Sequence, residues 1–291
     1  MQVLIGIATC NDVKNIGSLL SSLSENALPP NWRIMVVSSS SNGTDDTVQS
    51  FMQTNHQISM IHEAYRRGKV DVLNRLLRIV DTEGYDALVF LGGDNLADMN
   101  SIKNLIRFLE ESDHIGVVGG HPVPMLLNRS FVSLYYDLQW KIHHLICEKV
   151  KPKISGELMA IKAGVIHELP PAIINDDAYV EAVAEIKGYK TAYAPDSLVY
   201  LHPPQTMTDL ITQRRRVYIG HHQMRMITNV KPSTLWFTSL KHILKTINSP
   251  KDMLVLILSI LMQGSIYFLA KIDFLRGYLP YKWKIVESAK R

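Results

Sequence analysis

Between Val3 and Asp94 the chain alternates short apolar runs with amphipathic stretches, and this alternation constrains the fold more than any other feature. Val3-Leu-Ile-Gly-Ile-Ala8 is short and ends at the turn-like Cys10-Asn11-Asp12, so it reads as a buried strand. Ile16, Leu19, Leu20 and Leu23 then recur at helical spacing. Ile34-Met-Val-Val37 is a second strand, followed by a polar stretch from Ser38 to Thr44 and a helix near residues 48–52. A third strand over 58–62 leads to a helix over 70–80, with Val72, Leu73, Leu76 and Leu77 on one face. Ala87-Leu-Val-Phe-Leu91 is a fourth strand, closed by Gly92-Gly93-Asp94. Strands separated by helices need crossover connections, which predicts an α/β domain with a mostly parallel sheet flanked by helices. Ligands of such sheets sit beyond the carboxyl ends of the strands, where Thr9, Asp12, Ser38, Ser39 and Asp94 fall.

The alternation fades after Val118. A long helix is expected over 131–149, a strand-like piece over 156–161, and a helix over 207–226. Ile173-Ile-Asn-Asp-Asp177 opens another helix, with Asn175 or Asp176 as its cap. A domain boundary is expected at residue 228, with an amphipathic, membrane-associated region over 229–291.

Residues 253–270 are eighteen positions without a charge. A helix of that length is about 27 Å long, against a bilayer core of about 30 Å. Gln263, Gly264 and Ser265 interrupt its apolar character, so two readings stay open: a buried core helix, or one that spans or lies in a membrane. Just upstream, Leu235, Trp236, Leu240, Ile243, Leu244 and Ile247 alternate with Lys241, Lys245 and Asn248, the pattern of a helix in the membrane interface. Basic residues on both flanks leave its orientation open.

The net charge is +4, but Lys and Arg gather after residue 210, which suits a nucleotide diphosphate or an anionic membrane surface. The basic residues are too sparse, and too poor in interleaved aromatics, for nucleic acid. Cys10 and Cys147 lie far apart without CxxC or CxxH spacing, as expected of reduced cytosolic thiols. The first apolar run is too short and lacks the basic leader of a secretion signal. These features point to a catalytic domain in the cytoplasm.

Four segments carry chemistry. Asp94 follows a strand and two glycines, where a carboxylate can bind a hard divalent cation that shares its other positions with phosphate and water. The bland alternative is a turn aspartate satisfying nearby amides. In Asn175-Asp176-Asp177 the two carboxylates diverge by about 100°, so one can cap the helix while the other takes a proton in a cleft. In Gln213-Arg214-Arg215-Arg216, Gln213 and Arg216 share a helix face, whereas Arg214 and Arg215 are expected on a solvated or membrane-facing side. Gly68-Lys69 opens a helix after Arg66-Arg67, but lacks the spacing of a P-loop. The pairs His143-His144 and His221-His222 diverge on their helices and suit no shared metal.

The order of these segments resembles family 2 glycosyltransferases of the GT-A fold, in the branch with cellulose and hyaluronan synthases, from residue 2 to about residue 225. The opening strand and turn are similar to Ile5-Gly-Ile-Ala-Thr-Cys-Asn-Asp12, and the GKxxALN-like helix start to Gly68-Lys69-Val-Asp-Val-Leu-Asn74. Gly92-Gly93-Asp94 stands at the Asp-x-Asp motif, Asp176-Asp177 at the Glu-Asp pair and Gln213-Arg-Arg-Arg-Val217 at QxxRW. The resemblance implies an inverting transferase with Asp177 as base and Mn²⁺ or Mg²⁺ at Asp94. It assigns Thr9, Asp12, Ser38, Lys69, Gly93, Gln213 and Arg216 to a nucleotide-sugar, expected to be a UDP-sugar. Gly156, Glu157 and Asp176 fall to a glycan or lipid-linked acceptor. Ser38 and Ser39 stand where the family usually has a base-contacting aspartate, Gly92 replaces the first aspartate of Asp-x-Asp, and Val217 replaces the tryptophan. The last change, with a single apolar segment, argues against extrusion of a long polymer. Two other readings remain: a membrane-tethered module without catalysis, and a sugar nucleotidyltransferase, which would carry a Gly-rich basic loop after the first strand.

Overall fold

A computed structural model describes residues 1–230, 243–244, 247 and 249–282. Most of the 235–248 interface pattern and the lysines of the tail lie outside the described residues.

The strands β1 (Val3–Thr9), β2 (Trp32–Ser38), β3 (Ile58–His62) and β4 (Ala87–Gly92) form the parallel half of the sheet, joined by α1 (Val13–Ser24), α2 (Thr44–Thr54) and α3 (Lys69–Glu83). After α4 (Met99–Glu110) the chain adds β5 (Ile115–Pro124), α5 (Phe131–Lys149), β6 (Leu158–Lys162), α6 (Asp176–Ile186), β7 (Lys190–Leu201) and α7 (Met207–Thr228). The seven strands run in the order β3-β2-β1-β4-β6-β5-β7. β6 alone is antiparallel, between β4 and β5. The sheet is thus mostly parallel and covered on both sides, the architecture expected from the alternation.

Side chains along β1 divide between two cores. Val3, Ile5 and Ile7 pack with α1 and α4, whereas Leu4 packs with α3. A Cβ on Gly6 would lie 2.5 Å from Leu76, so glycine lets α3 sit directly on the sheet. Two elements have no counterpart in the sequence reading. α4 carries Met99, Ile102, Leu105, Ile106 and Leu109 on one face and is capped by Asp98, which accepts from the Ser101 amide at 2.7 Å. β7 contains Pro195, which discourages a strand assignment, yet the strand is at the sheet edge and pairs with β5 through register shifts.

Helix α8 (Pro250–Leu275) packs one side on α5 and α7. Its buried stripe includes Leu256, Ser259, Gln263, Ile266, Ala270 and Asp273. Gln263, which the sequence reads as an interruption of an apolar span, accepts from the Tyr218 hydroxyl at 2.8 Å and donates to Tyr135. Arg215 makes a two-pronged ion pair with Asp273, its Nη2 donating at 2.6 Å. Arg215, expected on a solvated side, thus stays partly exposed and also ties α7 to α8. The opposite face exposes Leu254, Ile257, Leu258, Leu261 and Phe268. α8 is long and apolar enough to cross a membrane.

The Arg215 side chain stays 41% exposed and Asp273 11%. Solvent screening reduces the cost of breaking this pair below that of a fully buried one. Asp273→Ala should therefore destabilise the chain by about 1–2 kcal/mol, seen as a lower Tm and faster proteolysis within α8.

Candidate active site

The carboxyl ends of β1 and β4, the start of α3, the turn before β6, the start of α6 and one face of α7 surround a cleft of about 780 Å³. That volume is within the usual range for a small-molecule site. Asp94, Asp177 and Arg216, distant in sequence, all line it.

The donor end is built at β1 and β4. The Gly93 amide donates to Ala8 O at 2.8 Å, and the Asn95 amide to Gly92 O at 3.2 Å, fixing the turn that presents the exposed Asp94. A Cβ on Gly93 would lie 2.7 Å from that of Thr9, so the turn closes against β1 only with glycine there. A Cβ on Gly92 would lie 2.5 Å from Asp94 Oδ1; a first aspartate in this motif would displace the second from its present position. Thr9 and Asp12 line the cleft. The Asp12 carboxylate accepts from the Cys10 amide at 3.2 Å and Thr9 Oγ1 at 3.4 Å.

Ser38 is a correction. It is fully buried, and its hydroxyl is engaged with Ser40 and Asp45 below the cleft. Its neighbour Ser39 lines the cleft instead.

The other end gathers carboxylates and cations. Asp176 is 2% exposed and pairs with Lys69 Nζ at 3.3 Å. Lys69 also donates to Gly156 O at 2.7 Å. Burial works against its charge, but Asp176, with Glu157 and Asp177, more than offsets this and raises its pKa. Lys69 thus holds the α6 start against the 156–157 turn while lining the cleft. A Cβ on Gly156 would lie 2.8 Å from Lys69 Nζ, so only glycine permits this approach.

Asp177 is half-buried and turns into the cleft, accepting from the Gly156 amide at 3.2 Å and the Ala178 amide at 2.7 Å. Burial raises its pKa above the ordinary carboxylate value and Asp176 adds to the rise, while Lys153 and Lys69 oppose it. Glu157 is raised chiefly by burial; Asn95 Nδ2 donates to its carboxylate at 3.0 Å. Arg216 faces these carboxylates. Burial lowers its pKa to about 10 although Asp176, Asp177 and Glu157 favour its charge. It remains a cation at neutral pH. Gln213 lines the same cleft and accepts from the Tyr136 hydroxyl.

Asn175 precedes α6 in the cap position, but its side chain makes no cap. Its Nδ2 donates to Val217 O at 2.9 Å, and a Cβ on Gly220 would lie 2.4 Å from its Oδ1. This contact locks the start of α6 to α7, and so sets the carboxylate pair relative to Arg216. The sequence offered no sign of it beyond a glycine inside a helix.

Arg214 is also corrected. Instead of facing solvent it lines the cleft, its guanidinium 5.3 Å from the centre of the Tyr218 ring. Lys153, Trp140 and His221 are further lining residues to which the sequence reading gave no role in a site.

The donor atoms present can be weighed against a metal. Among the described residues no three His, Cys, Asp or Glu side chains converge on one point. One exposed carboxylate, Asp94, with Glu157 in electrostatic reach, suits a hard cation that keeps waters and phosphate oxygens, and not an all-protein cage.

Relatives share this arrangement of elements. The chain is 23% identical over 230 residues to poly-β-1,6-N-acetyl-D-glucosamine synthase of Staphylococcus epidermidis, covering 75% of this chain and 54% of the synthase. It thus spans about half the length of the curated relatives it matches. The fold matches a mannosyltransferase from Pyrobaculum calidifontis, solved with GDP-Man and Mn²⁺, with a TM-score of 0.67 and 19% identity over 94% of this chain and 87% of that one. Glucosyl-3-phosphoglycerate synthase of Mycobacterium tuberculosis, solved with Mn²⁺, UDP and glucosyl-3-phosphoglycerate, gives a TM-score of 0.52 at 13% identity, over 79% and 80% of the two chains. These neighbours have the GT-A fold. The profile described as "Glycosyltransferase like family 2" matches residues 2–220, from β1 into the helix that carries Arg216, and the chain belongs to that family.

Proposed function

We propose that the chain is an inverting glycosyltransferase that moves a sugar from a nucleotide-sugar to a glycan or lipid-linked acceptor. The observation that carries this reading is that Asp94, Asp177 and Arg216 line one cleft. Thr9, Asp12, Ser39 and Gln213 would border the donor, and Gly156, Glu157 and Asp176 the acceptor; Gly93, assigned to the donor by the resemblance, is buried against Thr9 and does not line the cleft.

In the reaction an acceptor hydroxyl attacks the anomeric carbon and gives its proton to Asp177. The bond from that carbon to the diphosphate oxygen breaks with its electron pair, and configuration inverts. One in-line displacement needs one base, not the carboxylate pair of a retaining hydrolase. Asp176 is committed to Lys69 and orients the pair. Arg216 supplies positive charge near the leaving group. A divalent cation at Asp94, when bound, would offset charge on the departing diphosphate. The relatives' Mn²⁺ complexes support this choice of metal.

Membrane association of the 229–291 region belongs to the same reading, with residues 1–228 as the cytoplasmic catalytic part. α8 buries its polar stripe on α5 and α7 and turns leucine, isoleucine and phenylalanine outward. A helix held flat against the domain in this way suits the interface better than a crossing.

The test is a panel of UDP- and GDP-sugars with Mn²⁺. A transferase releases nucleoside diphosphate slowly from one donor without added acceptor. Pyrophosphate release from a nucleoside triphosphate would instead indicate a nucleotidyltransferase, and no binding or release a module without catalysis. Donor affinity should fall roughly 10-fold or more when Mn²⁺ is chelated, and the Asp94→Ala variant should lose that metal dependence. Equal affinity with and without metal in the unaltered chain would remove Asp94 from this role.

A further inference from the structure

The cleft has a second arm, between α5 and α7. On α7, Arg214, Tyr218 and His221 follow one another at helical spacing; Gln139 and Trp140 of α5 face the same space. Four buried polar atoms in this arm have no hydrogen-bond partner among the described residues: Gln139 Oε1, Trp140 Nε1, Arg214 Nε and His221 Nδ1. Buried polar atoms are rarely left unsatisfied, and such a group of them needs a physical explanation.

Arg214 sharpens the point. The groups acting on it are the hydroxyls of Tyr135, Tyr218 and Tyr136, and no carboxylate is paired with it among the described residues. The Arg214 guanidinium is half-buried and bonded to the Tyr218 hydroxyl but has no carboxylate beside it, and its planar fork matches phosphate or carboxylate oxygens. His221 is held neutral by burial, with Lys153 and Arg214 adding to the effect, so it offers an uncharged donor and acceptor beside that cation. Lys153 acts electrostatically on both Asp177 and His221, which places the arm next to the proposed base. Arg216, two residues on, points to the carboxylates instead.

We propose that this arm is the acceptor subsite, and that it selects acceptors carrying a phosphate group, which Arg214 grips while Gln139, Trp140 and His221 bond the adjoining polar groups. The proposal rests on the transferase reading above. The phosphate can belong to a lipid carrier, whose chain would run toward the exposed apolar face of α8, or to a soluble phosphorylated sugar.

The test uses the full chain. UDP with Mn²⁺ is titrated first, because failure to bind it counts against the transferase reading alone. With UDP and Mn²⁺ saturating, the chain is then titrated with glucose 6-phosphate against glucose, and with geranyl phosphate against geraniol. If UDP does not bind, the same titrations are run without it and judged by the same ratios. At least one phosphorylated member should bind roughly 10–100-fold more tightly than its neutral counterpart, as a charge-assisted hydrogen bond gives. Arg214→Gln should bring that ratio to within about 3-fold, and Arg214→Lys should restore part of it. Preference for the geranyl pair identifies a lipid source and preference for the glucose pair a soluble one; both support the subsite. Equal binding of charged and neutral members by the unaltered chain overturns it, whether or not the variants fold. A ratio that survives Arg214→Gln in a folded variant overturns the role of Arg214.

Discussion

Asp177→Asn should lower kcat by roughly 10²–10⁴, the usual size of a general-base contribution, while leaving UDP affinity within a few-fold. The amide keeps the shape of the carboxylate but has one acceptor oxygen, so it can accept from only one of the Gly156 and Ala178 amides, and it cannot take the acceptor proton. The pH profile gives an independent check. Burial and Asp176 raise the pKa of Asp177, so the acid limb of kcat/KM should lie above the ordinary carboxylate range. Activity falls as pH drops through that raised value, because the base becomes protonated. Stability moves the other way. A carboxyl whose folded pKa exceeds its unfolded pKa binds more protons when folded, so stability falls as pH rises from the unfolded value through the folded one. At neutral pH the Asn variant escapes that cost. Its Tm should rise, by about 2–4 °C for each ~1 kcal/mol recovered. Near wild-type turnover in this variant would remove Asp177 from the role of base.

Arg216→Gln is the second large effect. The guanidinium is the cation facing Asp176, Asp177 and Glu157 from α7, and its position suits charge developing on the leaving diphosphate. Loss of one such preorganised donor costs roughly 10²–10³ in kcat. A second consequence separates this role from simple damage. Without the cation, the charged form of Asp177 is less favoured, so the acid limb should move to higher pH. A fall in rate with no movement of that limb would mean that Arg216 serves the diphosphate without influencing the base.

These expectations follow from how side chains converge, and the sequence was unevenly informative about that. The strand–helix alternation from Val3 to Asp94 reads directly as a parallel sheet because each apolar run is short and ends in turn residues. It also marks the carboxyl edge, and hence Thr9, Asp12 and Asp94. α4 was missed although Asp98 and the Met99, Ile102, Leu105 and Ile106 spacing announce it. β7 was missed because Pro195 is allowed only by its place at the sheet edge, a property of strand order and not of local sequence.

By itself the sequence determined the layered α/β architecture and the chemistry-bearing segments, since hydrophobic period and turn residues act locally. Which side chains meet was decided by tertiary packing. Lys69 pairs with Asp176, Ser38 went under the cleft, Arg214 turned into an arm of the cleft, and Arg215, still partly exposed, bonds Asp273. The same guanidinium can face water, a carboxylate or the inside of a cleft. Its environment is set by helices that arrive from far along the chain, and no local pattern records their approach.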